Sequence, residues 1–114
     1  MKVLICGGRD FNDYKCFLRE IIINHDEIEE IISGGAVGTD SLAERHADYW
    51  GIPITIIKPD WKKYGKSAGF IRNQEMIDRH PDIVVAFWDG VSHGTKDTIN
   101  RAKKAKIKTL IIYY

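Results

Sequence analysis

Apolar residues along this chain switch between two rhythms, and the switching predicts the architecture. Val3-Leu4-Ile5-Cys6 is a continuous apolar run ending at Gly7-Gly8, the pattern of a strand buried on both faces. Tyr14, Phe17, Leu18, Ile21 and Ile22 then recur at helical spacing, predicting a helix over roughly 12–24. Residues 28–33 read as a second strand. Residues 40–50 read as a second helix with Leu42, Ala43, His46, Ala47 and Trp50 on one stripe, closed by Gly51. Pro53 opens a third strand, Ile54-Thr55-Ile56-Ile57, which stops at Lys58-Pro59. Asp60 to Ser67, rich in lysine and aromatics, reads as a mobile loop. A third helix is predicted over about 68–79, ending near His80-Pro81, because a residue before proline avoids the helical region. Ile83 to Trp88 is the fourth strand, and Gly94-Thr95 opens a fourth helix carrying Ile99, Ala102 and Ala105. Ile107 to Ile112 is the last strand. Strands alternating with helices in this way predict a parallel sheet covered on both faces. The order of the strands stays open.

Composition narrows the function classes. The 114 residues read as one domain, 1–114, large enough for its own core. A hydrophobic content of 44% with 29% charged residues is ordinary for a soluble globular protein, and no run approaches the roughly 20 apolar residues of a membrane span. A net charge of +1 gives no global attraction to nucleic acid or acidic membranes. The N-terminus moves directly into a strand-like run, so no signal peptide is expected. Cys6 and Cys16 form no CxxC pair, so two reduced thiols and a cytoplasmic location are expected.

In open sheets, ligands bind outside the carboxyl ends of the strands, and the unusual residues of this chain fall there. Gly7, Gly8, Arg9 and Asp10 follow the first strand. Ser33-Gly34-Gly35-Ala36-Val37-Gly38-Thr39-Asp40 joins the second strand to the second helix. Asp89, Gly90, Ser92, His93, Gly94 and Thr95 follow the fourth. Glycines admit positive φ and close approach of a ligand, and a helix N-terminus attracts anions. The same loops are equally compatible with a tight turn in which Thr39 or Asp40 acts as an N-cap. Together they predict a phosphate-bearing ligand on one rim.

Other chemistries fit less well. The first loop lacks GxGxxG and the second strand ends in serine and glycine, which argues against an ordinary nicotinamide-dependent oxidoreductase; no cofactor is expected. Gly65-Lys66-Ser67 has aspartate where a P-loop needs its leading glycine. His25, His46, His80 and His93 have no ligand spacing, so no structural metal is expected; His46 reads as a core-edge residue. No nucleophile motif such as GxSxG is present. Trp61, Tyr64 and Phe70 interleave with Lys58, Lys62, Lys63 and Lys66, a pattern that could stack bases of single-stranded DNA or simply pack at a surface. Arg101, Lys103, Lys104, Lys106 and Lys108 complement the end of a helix dipole.

Four segments in order, Cys-Gly-Gly-Arg-Asp-Phe, Ser-Gly-Gly-Ala-Val-Gly-Thr-Asp-Ser-Leu-Ala, Ile-Arg-Asn-Gln-Glu-Met and Asp-Gly-Val-Ser-His-Gly-Thr, resemble the YspA/YpsA-related branch of the SLOG superfamily. Relatives there include the LONELY GUY phosphoribohydrolases and the DNA-processing protein A fold. The resemblance implies an α/β, Rossmann-like three-layer sandwich with a five-stranded, mainly parallel sheet. It also implies a nucleotide-like small-molecule partner and a homodimer; from the near-neutral charge and the lack of an apolar span, neither nucleic acid nor a membrane is expected as partner. Arg72, followed by Asn73, is similar to the arginine with which LONELY GUY enzymes cleave nucleoside 5′-monophosphates. Where their glutamate stands, this chain has Thr98, and the neighbouring Asp97 is turned by about 100°. A hydroxyl neither stabilises an oxocarbenium ion nor activates water well. The expectation is therefore ligand sensing, sequestration or delivery, with a phosphoribohydrolase using Arg72 and Asp97, Asp10 or Asp40 as one alternative and a single-stranded DNA-binding module, through the Trp61–Lys66 loop and the lysines of the fourth helix, as another.

Overall fold

The computed structural model describes residues 1–22 and 25–114. Its strands are β1 (Lys2–Gly7), β2 (Glu30–Ser33), β3 (Ile54–Ile56), β4 (Ile83–Trp88) and β5 (Lys108–Tyr113). They form one sheet in the order β3-β2-β1-β4-β5, and every ladder is parallel. The helices are α1 (Tyr14–Ile22), α2 (Thr39–Trp50), α3 (Trp61–Tyr64), α4 (Ala68–Ile77) and α5 (His93–Lys104), with short 3-10 turns at His25–Glu27 and Gly65–Ser67. The α/β, Rossmann-like expectation stands, with a sheet that is wholly parallel. Among the described residues, no helix is long and apolar enough to cross a membrane.

The period of two along the central strands separates two cores. Val3 and Ile5 of β1, Ile31 of β2 and Val85 and Phe87 of β4 face Phe17, Ile21, Leu42 and Ala47 of α1 and α2. Leu4, Cys6, Ile32, Val84 and Ala86 point the other way, toward Met76, Ile77, Ile99 and Ala102 of α4 and α5. Parallel strands need crossovers, and crossovers are right-handed. The chain steps from β1 to β3 in one direction and from β4 to β5 in the other, so its helices cover opposite faces.

Several boundaries move for local reasons. The Asp13 side chain accepts from the Cys16 N–H at 3.1 Å, which starts α1 at Tyr14 rather than at 12. The end placed at 23–24 lies outside the described residues. The supposed mobile loop 60–67 is instead a helical turn, because Asp60 accepts from the Lys63 N–H at 3.1 Å. His46 is fully buried rather than at the core edge, its ring 5.6 Å from that of Phe17.

Candidate ligand-binding cleft

β1 and β4 are neighbours, yet the chain leaves them toward opposite sides of the sheet. Their carboxyl ends open into a cleft of about 410 Å³, within the range of roughly 300–1,000 Å³ usual for small-molecule sites. Gly7, Gly8, Arg9 and Asp10 form the β1 wall. Asp89, Ser92, Gly94 and Thr95 form the wall between β4 and α5. Arg72 and Asn73 enter from α4, and Asp40 from the first turn of α2.

The remaining expected residues do not line the cleft. Gly34 sits behind Arg72, whose Nη1 donates to the Gly34 carbonyl at 2.6 Å. Gly38 and Thr39 hold the start of α2 against Gly8 and Arg9, whereas Gly35 packs against Ile56 and Lys58 beside β3. Gly38, not Thr39 or Asp40, occupies the N-cap position of α2, with φ of 75° and no side-chain cap. His93 is exposed beside the cleft, in the first turn of α5. Asp97 is engaged elsewhere: its Oδ2 accepts from Arg101 Nε at 2.7 Å and from Asn73 Nδ2 at 3.1 Å. Gly65-Lys66-Ser67 lies outside the cleft lining, as do the exposed rings of Trp61 and Phe70.

Four lining residues were not among the expected ligand-binding residues: Cys6, Ala36, Met76 and Thr98. Two carried a usable signal. Met76 lies four residues after Arg72 and Thr98 four after Gly94, so each falls on the same helix face as a residue already singled out.

Burial governs the electrostatics. The Asp40 carboxyl is only 7% exposed, and desolvation raises its pKa although the Ala36 N–H donates to it at 3.1 Å and Arg72 lies nearby. Burial lowers the pKa of Arg72, Asp40 counteracts this, and Arg9, a second cation in the cleft, lowers it further. The Cys6 thiol is pushed far up by burial and by Asp40, so it stays protonated and is no nucleophile. Asp89 is held below the usual carboxylate value by the N–H groups of Ser92 and Val91, at 2.8 and 2.9 Å.

The first turn of α5 completes the site. Helix N-termini carry N–H groups without intrahelical partners and the positive end of the dipole. Ser92, at the N-cap position of this twelve-residue helix, makes no side-chain capping bond. Asn73 ties that turn to the guanidinium: it accepts from Arg72 Nε at 2.9 Å, and its Nδ2 reaches the Gly94 carbonyl at 3.4 Å.

The family described as YAcAr, the YspA, cpYpsA-related SLOG family, matches residues 1–64. The Gene 61 protein of Mycobacterium phage D29 is 32% identical over 122 residues, covering 96% of this chain and 94% of that protein. A family match across more than half of the chain, with a relative aligned along nearly all of it, establishes that this chain belongs to the YspA, cpYpsA-related SLOG family.

Proposed function

We propose that the chain binds a nucleotide or nucleotide-derived ligand in the cleft between β1 and β4, as a sensing, sequestering or delivery domain. One juxtaposition carries this reading: the N-terminus of α5, without a side-chain cap, shares a small cleft with the guanidinium groups of Arg9 and Arg72. Peptide N–H groups and guanidinium forks both favour phosphate, and they converge where open α/β sheets bind ligands. Asp10 and Asp89 line the same cleft and are acceptors, suited to sugar hydroxyls or base amino groups. Membership in a SLOG family points toward nucleotide-related ligands as well. A thermal-shift and calorimetric screen against nucleoside mono- and diphosphates tests the reading. Binding that raises the melting temperature and weakens in Gly94→Asp is expected; no binding at millimolar nucleotide would overturn it.

A second reading, hydrolysis of the N-glycosidic bond of nucleoside 5′-monophosphates, is favoured by Asp40. A buried carboxyl with a raised pKa beside an arginine suits proton transfer to a leaving base. Asp97 is held by Arg101 and Asn73, and Thr98 donates its hydroxyl to the Gly94 carbonyl at 3.4 Å, so Asp40 takes that role here. Release of free base that disappears in Asp40→Asn supports hydrolysis, and intact nucleotide after prolonged incubation excludes it. The proposed setting is cytoplasmic, consistent with free thiols at Cys6 and Cys16, and the proposed assembly is a homodimer, tested by sedimentation.

A further inference from the structure

The Tyr114 hydroxyl donates to Asp10 Oδ1 at 2.6 Å, joining the end of the last strand to the loop after the first. Three features hold the phenol there. The Tyr114 N–H donates to the Trp88 carbonyl at 3.3 Å, continuing the parallel ladder past Tyr113. Its ring lies 4.8 Å from Phe11, which in turn stacks on Phe87 at 4.8 Å. Beneath the hydroxyl is Gly8, where a Cβ would come within 1.7 Å of the phenol oxygen. Glycine is required there for Tyr114 to reach Asp10.

The other two carboxylates of the cleft are committed to backbone. Asp40 accepts from the Ala36 N–H, and Asp89 from those of Val91 and Ser92. Asp10 is held by a side chain instead. A carboxylate offers about four lone-pair sites, and Tyr114 occupies one of them.

We propose that Tyr114 is a positioning residue for sugar selectivity: by fixing Asp10 at the rim of the cleft, it makes that carboxylate the acceptor for the vicinal hydroxyls of a ribose. This rests on the reading of the cleft as a nucleotide site and adds the sugar class it selects. An ionised carboxylate only accepts, so it matches a diol, and removing the 2′-hydroxyl leaves one acceptor unmatched. Holding the carboxylate in place before the ligand arrives reduces the ordering that binding must supply. Burial and the Asp10 charge both push the titration of the Tyr114 phenol upward, so it remains a donor at neutral pH.

The test compares the four ribonucleoside 5′-monophosphates with their 2′-deoxy counterparts by calorimetry, on the wild-type chain, Tyr114→Phe and Asp10→Asn. The wild type should prefer the ribo form by about tenfold, the scale of one charge-assisted hydrogen bond. Tyr114→Phe and Asp10→Asn should each bring the ratio close to one, chiefly by weakening the ribonucleotide. General damage to the fold would weaken both forms alike and leave the ratio unchanged. Equal wild-type affinity for the two sugars, or a ratio that survives in either variant, overturns the inference while leaving nucleotide binding intact. Failure of all eight nucleotides to bind the wild type overturns the nucleotide reading itself and this inference with it.

Discussion

The carbonyl of Gly8 accepts twice from Thr39, from its N–H at 3.1 Å and from its hydroxyl at 3.0 Å. This pair fastens the loop after β1 to the start of α2. Gly7 and Gly38 make the approach possible: a Cβ on Gly7 would lie 2.5 Å from the Thr39 hydroxyl, and one on Gly38 2.4 Å from the Arg9 carbonyl. Part of the glycine motif therefore serves packing between loops. Thr39→Val should cost about 1 kcal/mol in urea denaturation, since the Gly8 carbonyl keeps its backbone donor. Nucleotide affinity should hardly change. Gly38→Ala should cost more, with about 1–3 kcal/mol from its positive φ alone.

Gly94 offers a cleaner probe of the anion site. A Cβ there meets no atom within 4 Å, so a side chain is accommodated. Gly94→Asp places a negative charge in the first turn of α5, which complements the helix dipole by about 0.3–1 kcal/mol. The melting temperature should hold or rise. Phosphate binding should nevertheless weaken by about tenfold or more, because the carboxylate competes for the same N–H groups. Calorimetric titration together with a thermal melt distinguishes this from simple unfolding.

Asn73 is 4% exposed and joins three elements of the site, the Arg72 guanidinium, the Gly94 carbonyl and the Asp97 carboxylate. Truncation to alanine strips partners from buried polar groups, at about 1–3 kcal/mol. Asn73→Ala should lower both stability and nucleotide affinity. Asp97→Ala, removed from the cleft lining, should lower affinity less. Denaturation midpoints and dissociation constants for the two variants check the order.

Asp40 predicts a specific pH dependence. Its pKa in the folded chain is raised from the ordinary 3.8 by burial, so the native state holds this proton more tightly than the unfolded state. The contribution to stability is fully present below 3.8 and is lost as pH rises through the folded value. Asp40→Asn, which keeps an acceptor for the Ala36 N–H, should remove that fall. Urea denaturation of both proteins at a series of pH values gives the comparison; parallel profiles would rule Asp40 out as the source.

Much of the fold was legible because burial leaves a local trace. Val3 to Cys6 and Ile83 to Trp88 are apolar at nearly every position because helices cover both faces of the sheet. The stripe through Leu42, Ala43, His46 and Ala47 marks the buried face of α2. The turn at Trp61–Tyr64 was obscured by its lysines and exposed aromatics, although Asp60 carried the cap. The rim loops were legible as a group from glycines and charges at strand ends. The separate tasks of their residues were not: Gly38 and Asp40 are two positions apart, yet one packs under the Arg9 carbonyl and the other lines the cleft.

By itself, the amino-acid order determined which segments become strands or helices, which faces they bury and which loops carry charge, since periodicity and turn chemistry act over a few residues. Only the tertiary structure decided that β1 lies between β2 and β4, that Arg72 reaches back to Gly34 and that Tyr114 closes on Asp10. These contacts join positions 38 to 104 residues apart. Pairings at that separation depend on the strand order and on the opposite faces taken by α2 and α5, which no local pattern records.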